Sequence, residues 1–158
     1  MITHLIYLQI FRRERELFMI NTKIYKSVYT LAEKLMAAAN KDDQEAFDGL
    51  YAELKAICTD NEHSEKDHPE QWETLADFTE DLEAALVGYE KALKKAIAIN
   101  SKDHMSSIAF SMATLHIELG QTDAAIKNLQ DAKISANKIE DKEFKVEIDE
   151  LLETLLAG

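Results

Sequence analysis

Apolar residues recur at intervals of three and four from Thr22 almost to the C-terminus, and one proline, Pro69, interrupts them. That period places apolar side chains on one stripe of a helix, so the chain is constrained to fold as packed helices. Ile24, Val28, Leu31, Leu35 and Ala39 form a first stripe. Asn40 to Asp43 breaks it and supplies an Asp to cap a second helix built on Ala46, Phe47, Leu50, Leu54 and Ile57. The turn is short, so the two helices must pack antiparallel. Asp60 to Glu70 reads as a loop ending at His68 and Pro69, with the proline suited to a helix first turn. Trp72, Leu75, Phe78, Leu82, Leu86, Tyr89, Leu93 and Ile97 then continue the period. This stretch admits either one long helix or two helices turning near Thr79 to Asp81.

Ser101 to Asp103 caps the next helix, carried by Ile108, Met112, Leu115 and Leu119. Gly120 suits a helix C-terminus, where a left-handed residue is needed. Asp123 is expected to cap a helix using Ile126, Leu129, Ala132 and Ile134. After Lys138 to Lys142, Phe144, Ile148, Leu151, Leu152 and Leu155 form a terminal helix whose other face carries Glu143, Glu147, Glu150 and Glu153. The expectation is an all-α domain of about six or seven helices.

Four glycines and abundant Ala, Leu, Glu and Lys agree with that class. The net charge of −12 argues against nonspecific binding to DNA or RNA and against an anionic membrane surface. A single cysteine, Cys58, allows no disulfide within the chain. That suits a reducing, cytoplasmic setting, with the thiol acting as a small buried apolar group.

The N-terminus differs from the rest. Its apolar run, residues 2 to 11, is too short to span a bilayer. All three arginines, Arg12, Arg13 and Arg15, follow it, the reverse of a secretory signal. Residues 1–18 are therefore read as upstream sequence before a start at Met19, with the Arg and Glu codons resembling a bacterial ribosome-binding site. The alternative is a short amphipathic helix packed on a single domain spanning 19–158. Intact mass of the natively expressed protein distinguishes them.

Ala109, Met112, Ala113 and His116, the turn at Gly120, and Ala125, Leu129 and Ala132 together carry a resemblance. This pair resembles one tetratricopeptide (TPR) repeat, a helix-turn-helix of about 34 residues in which small side chains let paired helices approach. Asn137 stands where the family has a closing proline. An earlier unit, Trp72, Leu75, Ala76, Ala85, Tyr89 and Ala92, fits in part. Trp72 precedes Ala85 by 13 positions, where Ala109 precedes Ala125 by 16. The unit starting at Val28 fits least. The resemblance covers residues 22 to 156 as architecture and 105 to 137 as motif. It implies a TPR-like antiparallel stack; an irregular up-and-down bundle is the alternative.

In TPR proteins the first helix of each pair lines a concave groove for a peptide or helix. Carried over by position, that groove receives Tyr29, Glu33 and Met36, then Glu73, Asp77 and Glu80, then Phe110, Thr114 and Ile117. Carboxylates beside aromatic and aliphatic groups suit a partner with Lys or Arg next to apolar anchors. Residues 60 to 83 hold ten carboxylates against one lysine, a run that reads equally as a solvated face. The resemblance implies a non-catalytic scaffold or adaptor for a protein partner, with open ends that favour a homodimer. In size, charge and repeat number the chain is also similar to cytoplasmic chaperones of secreted bacterial proteins.

Catalytic patterns are missing: the chain has no phosphate-binding glycine loop, nucleophile elbow or His-Glu metal helix. His63 and His68 with Glu62, Glu65 and Asp67 are candidate metal ligands, but they lack a recognised spacing and read as a solvated loop. His116 reads as a packing histidine. A metal-binding helical bundle would need Glu-x-x-His on facing helices, which the chain lacks. No cofactor is expected, and the chain is read as not an enzyme.

Overall fold

Residues 23–158 are described by the structure, a computed structural model. The expectations for residues 1–18 lie outside them. Among the described residues all regular structure is α-helical, in seven helices. These are α1 (Lys23–Asn40), α2 (Gln44–Asn61), α3 (Pro69–Asp77), α4 (Leu82–Ala98), α5 (Lys102–Glu118), α6 (Thr122–Ala136) and α7 (Lys142–Ala157). The helices gather into two compact units that divide between Gly88 and Tyr89, inside α4.

In the first unit α1 packs on α2, and both pack on α3. The turn after α1 uses Asp42 with φ 54°, and Asp43 caps α2 by accepting from the Ala46 N–H at 3.1 Å. The apolar stripes meet as expected: Val28, Leu31, Leu35 and Ala38 pack with Phe47, Leu54 and Phe78. Val28, Leu35 and Leu54 are fully buried, each contributing roughly 1.5–3 kcal/mol relative to exposure. Phe47 and Phe78 lie with ring centroids 6.3 Å apart.

Residues 69 to 98 form two helices. The chain leaves α3 where Thr79 Oγ1 donates back to the Leu75 carbonyl at 2.8 Å, and Thr79 Oγ1 also bonds the Tyr51 hydroxyl at 2.9 Å. Asp81 then accepts from the Ala84 N–H at 2.8 Å, starting α4. Ser, Thr and Asp side chains compete for backbone groups in this way and so favour helix ends.

In the second unit α5 packs on α6 and α6 on α7. Gly120 takes φ 73°; its N–H bonds Ile117 O at 3.0 Å, and the Gln121 N–H bonds His116 O at 2.8 Å. This is a Schellman cap, and it turns the chain from α5 into α6. Beyond the turn Ala109, Phe110 and Ala113 share a core with Ala125, Leu129, Ala132, Phe144 and Ile148. Phe110 and Phe144 meet edge to face at 5.4 Å.

Three positions depart from the sequence-based expectation: on α4 Ile97 is 55% exposed and Ala96 is buried in its place, and the other two lie on α6. Asp123 does not cap α6, which starts one residue earlier, at Thr122; Asp123 sits in the first turn, where its charge still complements the helix dipole. Ile134 is 66% exposed, and the core stripe ends on Ala136 in its place. Ala136 follows Leu129 by seven residues, two helical turns, so it stays on the buried face that Ile134 leaves.

Candidate functional site

The nine residues expected to line a groove are distributed unevenly between surface and interior. On α1, Glu33 is exposed, Tyr29 is partly buried, and Met36 packs partly against the first core. Glu80 is exposed and accepts from Gln44 Nε2 at 2.9 Å. Glu73 and Asp77, expected to supply the groove's charge, are 0% and 3% exposed. Phe110 and Thr114 are buried as well; Phe110 belongs to the second core and Thr114 Oγ1 donates to the Ser111 carbonyl at 2.7 Å. Ile117 reaches the surface at 36% exposure. As folded, Glu73, Asp77, Phe110 and Thr114 thus present no open surface to a partner.

The reason lies in α3. Eight of its nine residues are buried, from Pro69 through Thr74 and then Ala76 and Asp77. A charged helix usually turns its acids to water; this one is enclosed on every face. Its start is tightly built. Pro69 has no N–H to satisfy, and His68 Nδ1 accepts the Glu70 N–H at 3.2 Å. The Thr74 hydroxyl donates to Glu70 Oε1 at 3.0 Å. On α1, the Tyr25 phenol is held protonated well above its ordinary range, chiefly by burial and further by the charge of Glu70. Its ring meets His68 edge-on at 5.1 Å.

The side of α3 toward α2 is also polar. Cys58, buried as expected, donates to the Gln71 carbonyl at 3.3 Å. Gln71 Nε2 donates to Lys66 O at 2.8 Å, while its buried Oε1 accepts no hydrogen bond.

The loop considered for a metal is occupied with its own structure. Asp67 accepts from the His63 N–H and from Trp72 Nε1, both at 2.8 Å. His68 is engaged at the helix cap, while His63 and Glu65 are exposed. Asp67 and His68 therefore fix the conformation of the segment between α2 and α3.

Sequence reasoning missed the buried polar groups. Besides those on α3, helix α5 buries His104, Ser106, Ser107, Ser111 and Thr114. A signal for α5 was present: Met105 to Leu115 contains no charged residue, as befits a helix buried nearly all round. For α3 no such signal exists, because its acids resemble those of a solvated helix.

One accessible surface with mixed chemistry lies on α7. Glu143, Val146, Glu150 and Glu153 are all exposed, and their spacing of three, four and three puts them on one face. Phe144, Ile148 and Leu152 occupy the buried face. The exposed face carries strain of a mild kind. Glu143 and Glu147 are like charges four residues apart, and the last turn holds no basic residue, while Asp149 beside that face is offset by Lys133 Nζ at 2.9 Å.

No protein-family model, curated protein or solved structure matches the chain. Among the described residues no helix is long and apolar enough to cross a membrane. The fold defines an all-α protein of antiparallel helix pairs.

Proposed function

We propose that the chain is a non-catalytic protein-interaction module, working in the cytoplasm, whose partner carries Lys or Arg beside an apolar anchor. The observation that supports this most is the outer face of α7. Val146 is 54% exposed between the exposed carboxylates of Glu143 and Glu150, with Glu153 one turn beyond. Like charges at helical spacing disfavour the isolated helix by about 0.2–0.5 kcal/mol per pair. A cationic partner reverses that sign. An amphipathic helix with Lys or Arg flanking an aliphatic or aromatic side chain matches this face in charge and in period. The TPR resemblance of α5 and α6 supports the same reading, since their shared core is rich in Ala. The surface is different from the groove inferred by position, where Glu73 and Asp77 are buried.

The test is fluorescence anisotropy of a labelled Lys-rich amphipathic helix, with an acidic helix of the same apolar pattern as control. Binding is expected for the cationic helix alone, weakening with added salt as surface charges are screened. Val146→Glu should weaken it about tenfold, the equivalent of about 1.4 kcal/mol. Equal binding of both peptides, or none, would overturn the reading.

A further inference from the structure

The chain itself carries the chemistry that suits the α7 face, on the part of α4 that belongs to the second unit, residues 89–98. From Lys91 to Lys102 the sequence holds four lysines and no acid, in a protein whose net charge is −12. Ala92 and Ala96 are buried, while Lys91, Lys94 and Ile97, three residues apart, are exposed on one side of the helix. Ile97 is 55% exposed, and Ile99, just past the helix end, 53%. Glu90 is exposed ahead of them, so the basic stretch begins at Lys91.

We infer that this side of α4 docks on the outer face of α7 in a second copy of the chain, which rests on the reading of α7 as a site for a cationic, apolar helix. Two copies of net charge −12 repel at long range, so opposite local charges decide where they can meet. Residues 91–102 supply the reversed sign. In antiparallel register Ile97 meets Val146, Lys94 meets Glu150 and Lys91 meets Glu153. At about 1.5 Å per residue the three positions span about 9 Å on α4 and about 10.5 Å on α7, a mismatch within the reach of a lysine. Each copy carries both faces, so reciprocal docking closes a twofold dimer.

Sedimentation velocity of the full chain over a range of concentrations is the test. A dimer is expected, weakened about tenfold by Lys94→Glu and by Glu150→Lys, each of which sets like charges against one another. Both positions are exposed, so neither change disturbs a core. Mixing the two variants should restore association, since the reversed charge on α4 of one meets the reversed charge on α7 of the other. The labelled cationic helix is added at concentrations where the chain is monomeric, which keeps the two readings separate. A chain that stays monomeric throughout yet binds that helix overturns the self-association and leaves the α7 site standing. A dimer indifferent to both substitutions overturns it as well.

Discussion

Trp72 donates its indole N–H to Asp67 Oδ1 at 2.8 Å, tying the loop between α2 and α3 to the helix that follows it. The other oxygen of the same carboxylate accepts from the backbone N–H of His63, which sits at φ 66°. One side chain thus satisfies a largely buried indole and holds a left-handed residue in place. Asp67→Ala leaves that indole N–H without its acceptor, at a cost of about 1–3 kcal/mol. Asp67→Asn keeps one carbonyl acceptor and should cost less. Urea unfolding midpoints of the two variants check the order. If zinc raised the midpoint of the parent but not of Asp67→Ala, the loop would be a metal site after all.

Gly88 on α4 lies close against Ala76 on α3. A Cβ added there would stand 3.2 Å from the Ala76 Cβ and 3.6 Å from its Cα. Ala76 is buried on a helix whose neighbours are buried too, so it has little room to move aside. Gly88→Ala gains roughly 1 kcal/mol of helix propensity but is expected to lose more to crowding, for a net loss of about 1 kcal/mol. Gly49 provides the comparison: it lies inside α2, is exposed, and a Cβ there meets nothing within 4 Å. Gly49→Ala should therefore stabilise by about 0.5–1 kcal/mol. Opposite signs for the two substitutions, read from thermal or urea unfolding, are the expected result. Gly88→Ala with Ala76→Gly should recover much of the loss.

The helices were legible because the period of apolar residues survives packing. Val28, Leu35, Leu54, Ile108, Leu129 and Ile148, all members of the expected stripes, are fully buried. Gly120 was legible for a different reason: the left-handed conformation it adopts strongly favours glycine. The location of the acids was not legible. Glu73 and Glu153 look alike in sequence, each an acid within a helical pattern, yet one is wholly buried and the other exposed. Period tells which residues share a face; it does not tell whether the opposite face is also covered. That depends on packing between distant segments, and so the burial of Glu73 and Asp77 was not legible in the sequence.

At Gly120 the backbone conformation sets the outcome directly. Its φ of 73° completes the cap of α5, and space is open where a Cβ would stand. Crowding against the rest of the chain is thus excluded as the cause of any loss, leaving the local strain of a Cβ in the left-handed backbone. Gly120→Ala should cost about 1 kcal/mol, and Gly120→Asn less, since Asn tolerates this region better. Thermal unfolding of both variants checks the ranking. Equal stability of Gly120→Ala and the parent would mean that the turn relaxes to another geometry.

Tyr25 gives the chain a stability that depends on alkaline pH. Burial, then the negative charge of Glu70, keep the phenol protonated in the folded state well above its ordinary value. In the unfolded chain a tyrosine loses its proton near pH ~10. Above that pH the folded state binds more protons at this site than the unfolded state, so stability falls as pH rises. Below pH ~10 both states hold the proton and the contribution is fully present. The expected slope from this group is about 1.4 kcal/mol per pH unit above the unfolded value. Tyr25→Phe removes an ionisable group but keeps the ring against His68, so its slope should be shallower by that amount. Glu70→Gln removes one of the two causes and should permit earlier ionisation. Urea unfolding at several pH values between 9 and 11 measures the difference. Parallel curves for the parent and Tyr25→Phe would show that the phenol titrates alike in both states.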